Sequence, residues 1–217
     1  MERTISVKGT GKLSLKPDLT VVTLNLKALD PDYEKMMAAA GDQIEALRDA
    51  LAAVGFSRDA LKTENFNIYA ENESVRDEKG NYRSVFVGYA CNQGLRLEFD
   101  FDSARLSAVL GAIASCVADP GLNISFTVKD RETVAAELLR AAASNAREKA
   151  QILADASGVR LGKLLSVNYD VASFNPVSPT AYAADMVCMA KGRAANVALT
   201  PDDISVSDSA CFVWGIE

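Results

Sequence analysis

The residue types that carry most hydrolytic and metal chemistry are missing from this chain or scattered along it. It has no histidine, so there are no imidazole general bases, no Ser-His or Cys-His nucleophile pairs and no His-ligated metal. An enzyme built on this sequence must work with carboxylates, Lys, Tyr, Ser or Cys. The four cysteines, Cys91, Cys116, Cys188 and Cys211, form no C-x-x-C pair, which removes zinc-ribbon and thioredoxin-like sites. Such spacing reads as thiols packed as small hydrophobes in a reducing compartment. The "GTGK" at residues 9–12 lacks the glycine spacing of a phosphate-binding loop and opens no helix.

Two positions stand out against their surroundings. In "SNAREKAQILADASGVRLGKLLSV", residues 144–167, a helix runs through a glycine stop into a strand. With Leu138 at zero on a wheel of about 100° per residue, Val134, Ala142, Ile152, Leu153 and Ala156 form the apolar stripe. Asn145 and Lys149 fall inside that stripe, while Arg147 and Gln151 point to solvent. Burying an unpaired ammonium costs several kcal/mol or more, which leaves three readings. The Lys149 stem covers apolar surface while its ammonium reaches water; or Asn145 and Lys149 clip a carboxylate or strand carbonyls; or Lys149 is a catalytic amine or an anion anchor. No second catalytic residue accompanies it, so no catalytic, cofactor-binding or metal residue is assigned, and Asn145 and Lys149 stand as a possible ligand site or structural polar clip. The alternating acids Glu98, Asp100 and Asp102 of "EFDFD" read as a solvated strand face rather than a weak calcium ridge.

The elements that position these residues follow from local patterning. "RTISVKGTGKLSL" reads as a strand with a bulge or bend at Gly9 and Gly11, and "LTVVTLNLKA" as a half-buried strand. Asp30 and Pro31 supply the cap and first turn of a helix ending at Gly55. "ALKTENFNIYAENE" and "YRSVFVGYACNQGLRLEFDF", joined by the charged tip "RDEKGN", form a hairpin over residues 62–91, its second strand interrupted at Gly94. Tyr69, Tyr82 and Tyr89 read as cross-strand packing on it. A helix capped by Asp102 or Ser103, the strand "LNISFTV", a long helix over 131–157 and the strand "KLLSVNYDV" follow. Residues 172–201 carry no period and read as an irregular arm, functional or disordered. "DISVSDSACFVWGI" closes the chain as a strand. The order predicts an α+β fold of two layered α/β units, 1–95 and 96–217, with antiparallel or mixed sheets, helices on one face and ferredoxin-like character in the second unit.

The totals agree with a globular chain. It has 217 residues, 49% hydrophobic and 24% charged, with a formal net charge of −6. That charge argues against a nucleic-acid binder, and no apolar run is long enough for a membrane span. The opening "MERTISVKG" reads as a strand rather than a leader. It points to a cytoplasmic protein, or to a periplasmic or extracytoplasmic one if a leader has been removed.

Several strings taken together resemble the SIMPL-domain family, which includes bacterial periplasmic and outer-membrane-associated antigens of the 26/28-kDa type. They are "ISVKGTGKLSLKPDLTVVTLNL", "ALKTENFNIYAE", "VGYACNQGLRLEF", "NAREKAQILADASGVRLGKLLSV" and "ISVSDSACFVWGIE", and they span essentially the whole chain. The resemblance implies an α+β fold of two small layered units, links to the cell envelope and to stress, and self-assembly. It carries over no catalytic motif. The expectation is a non-enzymatic, cofactor-free protein that forms a homo-oligomer or meets a protein partner through the 172–201 arm or the 62–91 hairpin. The alternative is a small-molecule or peptide-binding module with a cleft between the two units, where Lys149 or Arg160 meets an anion.

Overall fold

The computed structural model describes residues 3–76, 80–116, 118, 120–170, 174–184 and 200–217. Among the described residues, eight strands and three α-helices follow one another as β1 (Thr4–Leu15), β2 (Leu19–Asp30), α1 (Tyr33–Ala53), β3 (Leu61–Arg76), β4 (Tyr82–Asp100), α2 (Ser103–Ala114), β5 (Gly121–Thr127), α3 (Arg131–Ala156), β6 (Leu161–Asn168), β7 (Tyr182–Ala184) and β8 (Ile204–Ile216). They make an α+β fold with two sheets, ordered β1-β8-β6 and β3-β4-β2-β5-β7. The pairs β1–β8, β6–β8, β2–β4, β3–β4 and β5–β7 are antiparallel.

The chain divides into two compact units, but not at residue 95. One consists of Met1–Asp18, Thr127–Pro179 and Asp202–Glu217, the other of Leu19–Phe126 and Thr180–Pro201. The expected halves 1–95 and 96–217 are not these units, because β1 finds its partner at the far end of the chain. All twelve β1 residues pair with β8, from Thr4 opposite Gly215 to Leu15 opposite Ile204. A hydrophobic pattern shows that a strand needs a partner, not which one it takes.

The five-stranded unit builds its core in the expected way. Val22, Leu24 and Leu26 of β2 and Leu95, Leu97 and Phe99 of β4 meet Leu47 and Leu51 of α1 and Leu106, Val109 and Ile113 of α2. The cap of α1 is Asp32 rather than Asp30, its carboxylate accepting from the Glu34 and Lys35 N–H groups. Asp30 remains in β2 and accepts from the Asp32 N–H at 2.8 Å, a second acidic turn that fixes the chain's entry into the helix. Asp102 caps α2. The second hairpin strand is unbroken at Gly94, where the Gly94 N–H donates to Asn65 Oδ1 at 2.9 Å. A Cβ on residue 94 would collide with that carboxamide, so the glycine makes room for a cross-strand side chain instead of ending the strand.

Among the described residues, the three-stranded unit has one α-helix, α3. Val7, Ala146, Ala150, Ala210, Phe212 and Trp214 form one buried cluster, and Val128, Val134, Leu138 and Ile204 another. Phe212 and Trp214 stack at 5.6 Å between centroids. In the first cluster the bulk comes from the sheet, while the helix contributes alanine; in the second, Val134 and Leu138 of the helix supply it.

Residues 172–201 are not wholly irregular. Thr127 forms a bridge with Val177, and the Thr127 hydroxyl donates to the Pro176 carbonyl at 2.5 Å. Tyr182–Ala184 adds a fifth strand beside β5. The rest of the expected arm, 172–173 and 185–199 with Cys188, lies outside the described residues, as do the hairpin-tip residues 77–79.

Candidate functional site

The site begins with two glycines. A bulge was expected at Gly9 and Gly11, yet β1 pairs with β8 through both without a shift in register. Their function is to let α3 approach. A Cβ on Gly9 would lie closer than 3.0 Å to the Ala142 carbonyl oxygen and 2.6 Å from the Ala146 Cβ; one on Gly11 would lie closer than 3.0 Å to the Leu138 carbonyl oxygen. Both glycines are buried, and the helix backbone occupies the space that their side chains would fill.

The buried line on α3 is Val134, Leu138, Ala142, Ala146, Ala150 and Ala154, each four residues from the last. Ile152 and Leu153, expected inside the stripe, are 66% and 48% exposed. A wheel drawn about a straight axis assumes a contact line parallel to that axis. Rows of every fourth residue are inclined to it by about 26°, so over five turns the contact rotates away from Ile152 and Leu153. The same drift carries Asn145 and Lys149 from the centre of the contact to its border.

From that border both side chains reach the backbone of β1. The Thr10 N–H donates to Asn145 Oδ1 at 3.1 Å, and Lys149 Nζ donates to the Lys8 carbonyl oxygen at 3.2 Å. Asn145 is half-buried and Lys149 exposed, so the ammonium keeps its water while its stem lies along the strand. Since β1 is an outer strand of its sheet, this is the geometry of a polar clip on an edge. Arg147 and Gln151 are exposed, and Gln151 donates to Asp155 at 2.8 Å.

The other residues singled out in the sequence are engaged separately. Arg160 pairs with Glu217 at 3.3 Å in an exposed setting. Glu98 pairs with Arg96, which also meets Glu64, whereas Asp102 accepts from the Arg105 N–H at 2.6 Å. Among the described residues no group of three His, Cys, Asp or Glu side chains is placed to hold a metal ion. Cys91 is fully buried beside Met36 and Ala40, and burial pushes its thiol up from the ordinary range. Tyr169 donates to Asp208 at 2.9 Å, and that hydrogen bond raises the phenol.

A second feature is larger than the clip. Beyond the end of β2 at Asp30, β3 and β4 continue as a two-stranded ribbon from Ala70 opposite Tyr89 to Arg76 opposite Tyr82, with a register shift between Glu71 and Asn72. Most of its residues are exposed on both faces. Tyr89 sits edge-on to Tyr33 at 5.6 Å and to Phe86 at 5.3 Å, and all three rings stay open to solvent. Tyr82 is 72% exposed, so the cross-strand packing expected of it does not bury it. The sequence signal was present in the failure of alternation: between residues 66 and 89, apolar residues fall on both strand faces, which a half-buried strand avoids.

An α+β chain with two largely antiparallel sheets, a helix layer on each and a backbone-close helix clipped to the first strand is the class that these features define. The chain belongs to the SIMPL family, described as a protein of unknown function (DUF541), whose model matches residues 5–214. It is similar to the 26 kDa periplasmic immunogenic protein of Brucella melitensis biotype 1, 23% identical over 164 residues. The protein of the same name from Brucella abortus strain S19 matches to the same extent. The match covers 76% of this chain and 65% of each relative, so the chain spans less than two thirds of their length. No helix among the described residues is long and apolar enough to cross a membrane.

Proposed function

We propose that this chain is a non-enzymatic, self-assembling interaction protein whose main docking surface is the outer half of the β3–β4 hairpin. One observation carries the reading: Val75, Tyr82, Val85, Phe86 and Tyr89 are large apolar side chains left exposed on one ribbon, and the Tyr33, Tyr89 and Phe86 rings adjoin there. Single exposed hydrophobes are ordinary, but adjoining exposed aromatics such as these are the residues in which interface cores are enriched. A second copy is the occupant proposed, since in a two-fold pairing the same patch serves both partners.

Support for a non-enzymatic role comes from the residues that chemistry would need. Lys149 holds a strand carbonyl, Glu64 and Glu98 pair with Arg96, Asp102 caps α2, and Cys91 is shielded. The name of the Brucella relatives supports an extracytoplasmic setting, with links to the envelope and to stress as part of the same proposal.

Light scattering on the intact chain and on Phe86→Ser and Tyr89→Ser variants tests the reading. A multimer that shifts toward monomer in the variants, with unchanged circular dichroism, is expected. A monodisperse monomer in every sample would refute it.

A further inference from the structure

The two faces of the β1–β8 pair differ in chemistry. The pairing runs without a register shift from Thr4 opposite Gly215 to Leu15 opposite Ile204, so alternate residues share a face. One set, with Val7, Gly9, Gly11, Ala210, Phe212 and Trp214, lies under α3. The other places Lys8, Lys12 and Ser14 of β1 opposite Cys211, Ser207 and Ser205 of β8. That outer set holds no acid. β1 has none in its sequence. Asp208 of β8 lies opposite Gly11, in the set facing α3, and accepts from Tyr169. In a chain of net charge −6, this face is locally cationic.

One end of the face is hollow. Lys12, Leu13 and Ser14 with Ser205, Val206 and Ser207 line an open depression of about 520 Å³, a volume within the range of small-molecule sites. Leu13 and Val206 pack inward on the cluster beneath α3, so the Lys12, Ser14, Ser205 and Ser207 side chains form its walls. All four residues are exposed. Among the described residues, neither the Lys12 ammonium nor the Ser205 and Ser207 hydroxyls bond another group. The Ser14 hydroxyl donates to Asp203 at 3.5 Å, which sets one carboxylate at the rim.

We infer that this depression binds the phosphate or sulfate group of a small esterified sugar. Three unengaged donors on two adjacent strands, one of them charged, suit an oxyanion with several acceptor oxygens, and charge-assisted hydrogen bonds are the strong kind. The depression is larger than a bare ion needs. The remainder of the ligand has room beside the Lys12 stem, which offers apolar surface to a sugar ring. Asp203 at the rim opposes the anion and weakens its binding. The depression lies in the other unit from the β3–β4 hairpin, so the inference stands whether or not the assembly reading does.

Isothermal titration calorimetry of the full chain at low salt tests it, with glucose 6-phosphate, glucose 6-sulfate and glucose as probes. Saturable binding of at least one ester, and none of glucose, is expected; the tighter ester identifies the group. Lys12→Gln should weaken that binding about tenfold, since it removes the charged donor. Asp203→Asn should tighten it by removing the opposing charge, and an Asp203→Asn chain that binds no better counts against this placement. Lys163 is an exposed lysine of the same unit outside the depression, and Lys163→Gln should leave the affinity unchanged. Circular dichroism on each variant separates lost binding from lost folding. No saturable binding of either ester, equal binding of glucose, or an equal loss in Lys12→Gln and Lys163→Gln would each overturn the inference.

Discussion

Gly9 lies so close to Ala142 that the Ala142 carbonyl oxygen occupies the space of a residue-9 side chain. At Gly9 and Gly11, helix α3 rests on β1 with no side chain from the strand between their backbones. Gly9→Ala and Gly11→Ala must therefore push a 26-residue helix off its sheet or distort β1. Overpacking of this kind costs about 1–3 kcal/mol, and more when the obstacle is backbone. Denaturant unfolding should place both variants at the upper end of that range.

Gly41 is the matched control. It lies in α1 with nothing within 4 Å of an added Cβ. Gly41→Ala should stabilise the protein by about 0.5–1 kcal/mol through backbone entropy alone. If Gly9→Ala and Gly41→Ala moved the unfolding midpoint alike, the close approach of α3 would be wrong.

Asn145 and Lys149 should behave unequally. Asn145→Ala leaves the Thr10 N–H without its acceptor in a half-buried position, a loss of about 1–3 kcal/mol. Lys149→Met keeps the apolar stem and removes one exposed hydrogen bond, a loss of about 1 kcal/mol or less. Amide exchange at Thr10 offers a local reading of the same contact: it should accelerate in Asn145→Ala and change little in Lys149→Met.

Buried Cys91 should be the slow thiol. Its raised pKa comes from burial, and the thiolate is the reactive form. Among the described cysteines, Cys211 is exposed and Cys116 partly so. A thiol reagent at neutral pH should modify Cys211 well before Cys91, as read by peptide mapping, with Cys91 reacting only on unfolding.

Asp130 gives a pH dependence of defined sign. Hydrogen bonds from Thr133 hold its carboxyl below the usual value, the backbone one at 2.9 Å. A depressed carboxylate stabilises the fold above its unfolded pKa, about 3.9, and loses that contribution as pH falls through the folded value. Asp130→Asn retains a capping side chain but not the titration. Its deficit in melting temperature should be present at pH 7 and should shrink below about pH 4.

Much of the fold was legible because local signals were strong. The order of elements and the Asp102 cap of α2 follow from alternation and cap chemistry. The partnership of β1 with β8 was not, since no local pattern encodes a pairing between opposite ends of a chain. At the candidate site, Asn145 and Lys149 were recognisable as polar residues in an apolar stripe. Their targets were not, because locating Thr10 and Lys8 requires knowing that α3 crosses β1 along its row of every fourth residue. Gly9 and Gly11 were visible as irregularities but misread as a bulge. A glycine that admits a helix and one that bends a strand leave the same mark in a sequence.

The assembly proposal is tested most directly by the mass of the intact chain in solution. Multi-angle light scattering over a range of concentrations should give a multiple of 23.2 kDa, reduced toward one chain by Phe86→Ser. A constant mass of one chain at every concentration would contradict the account.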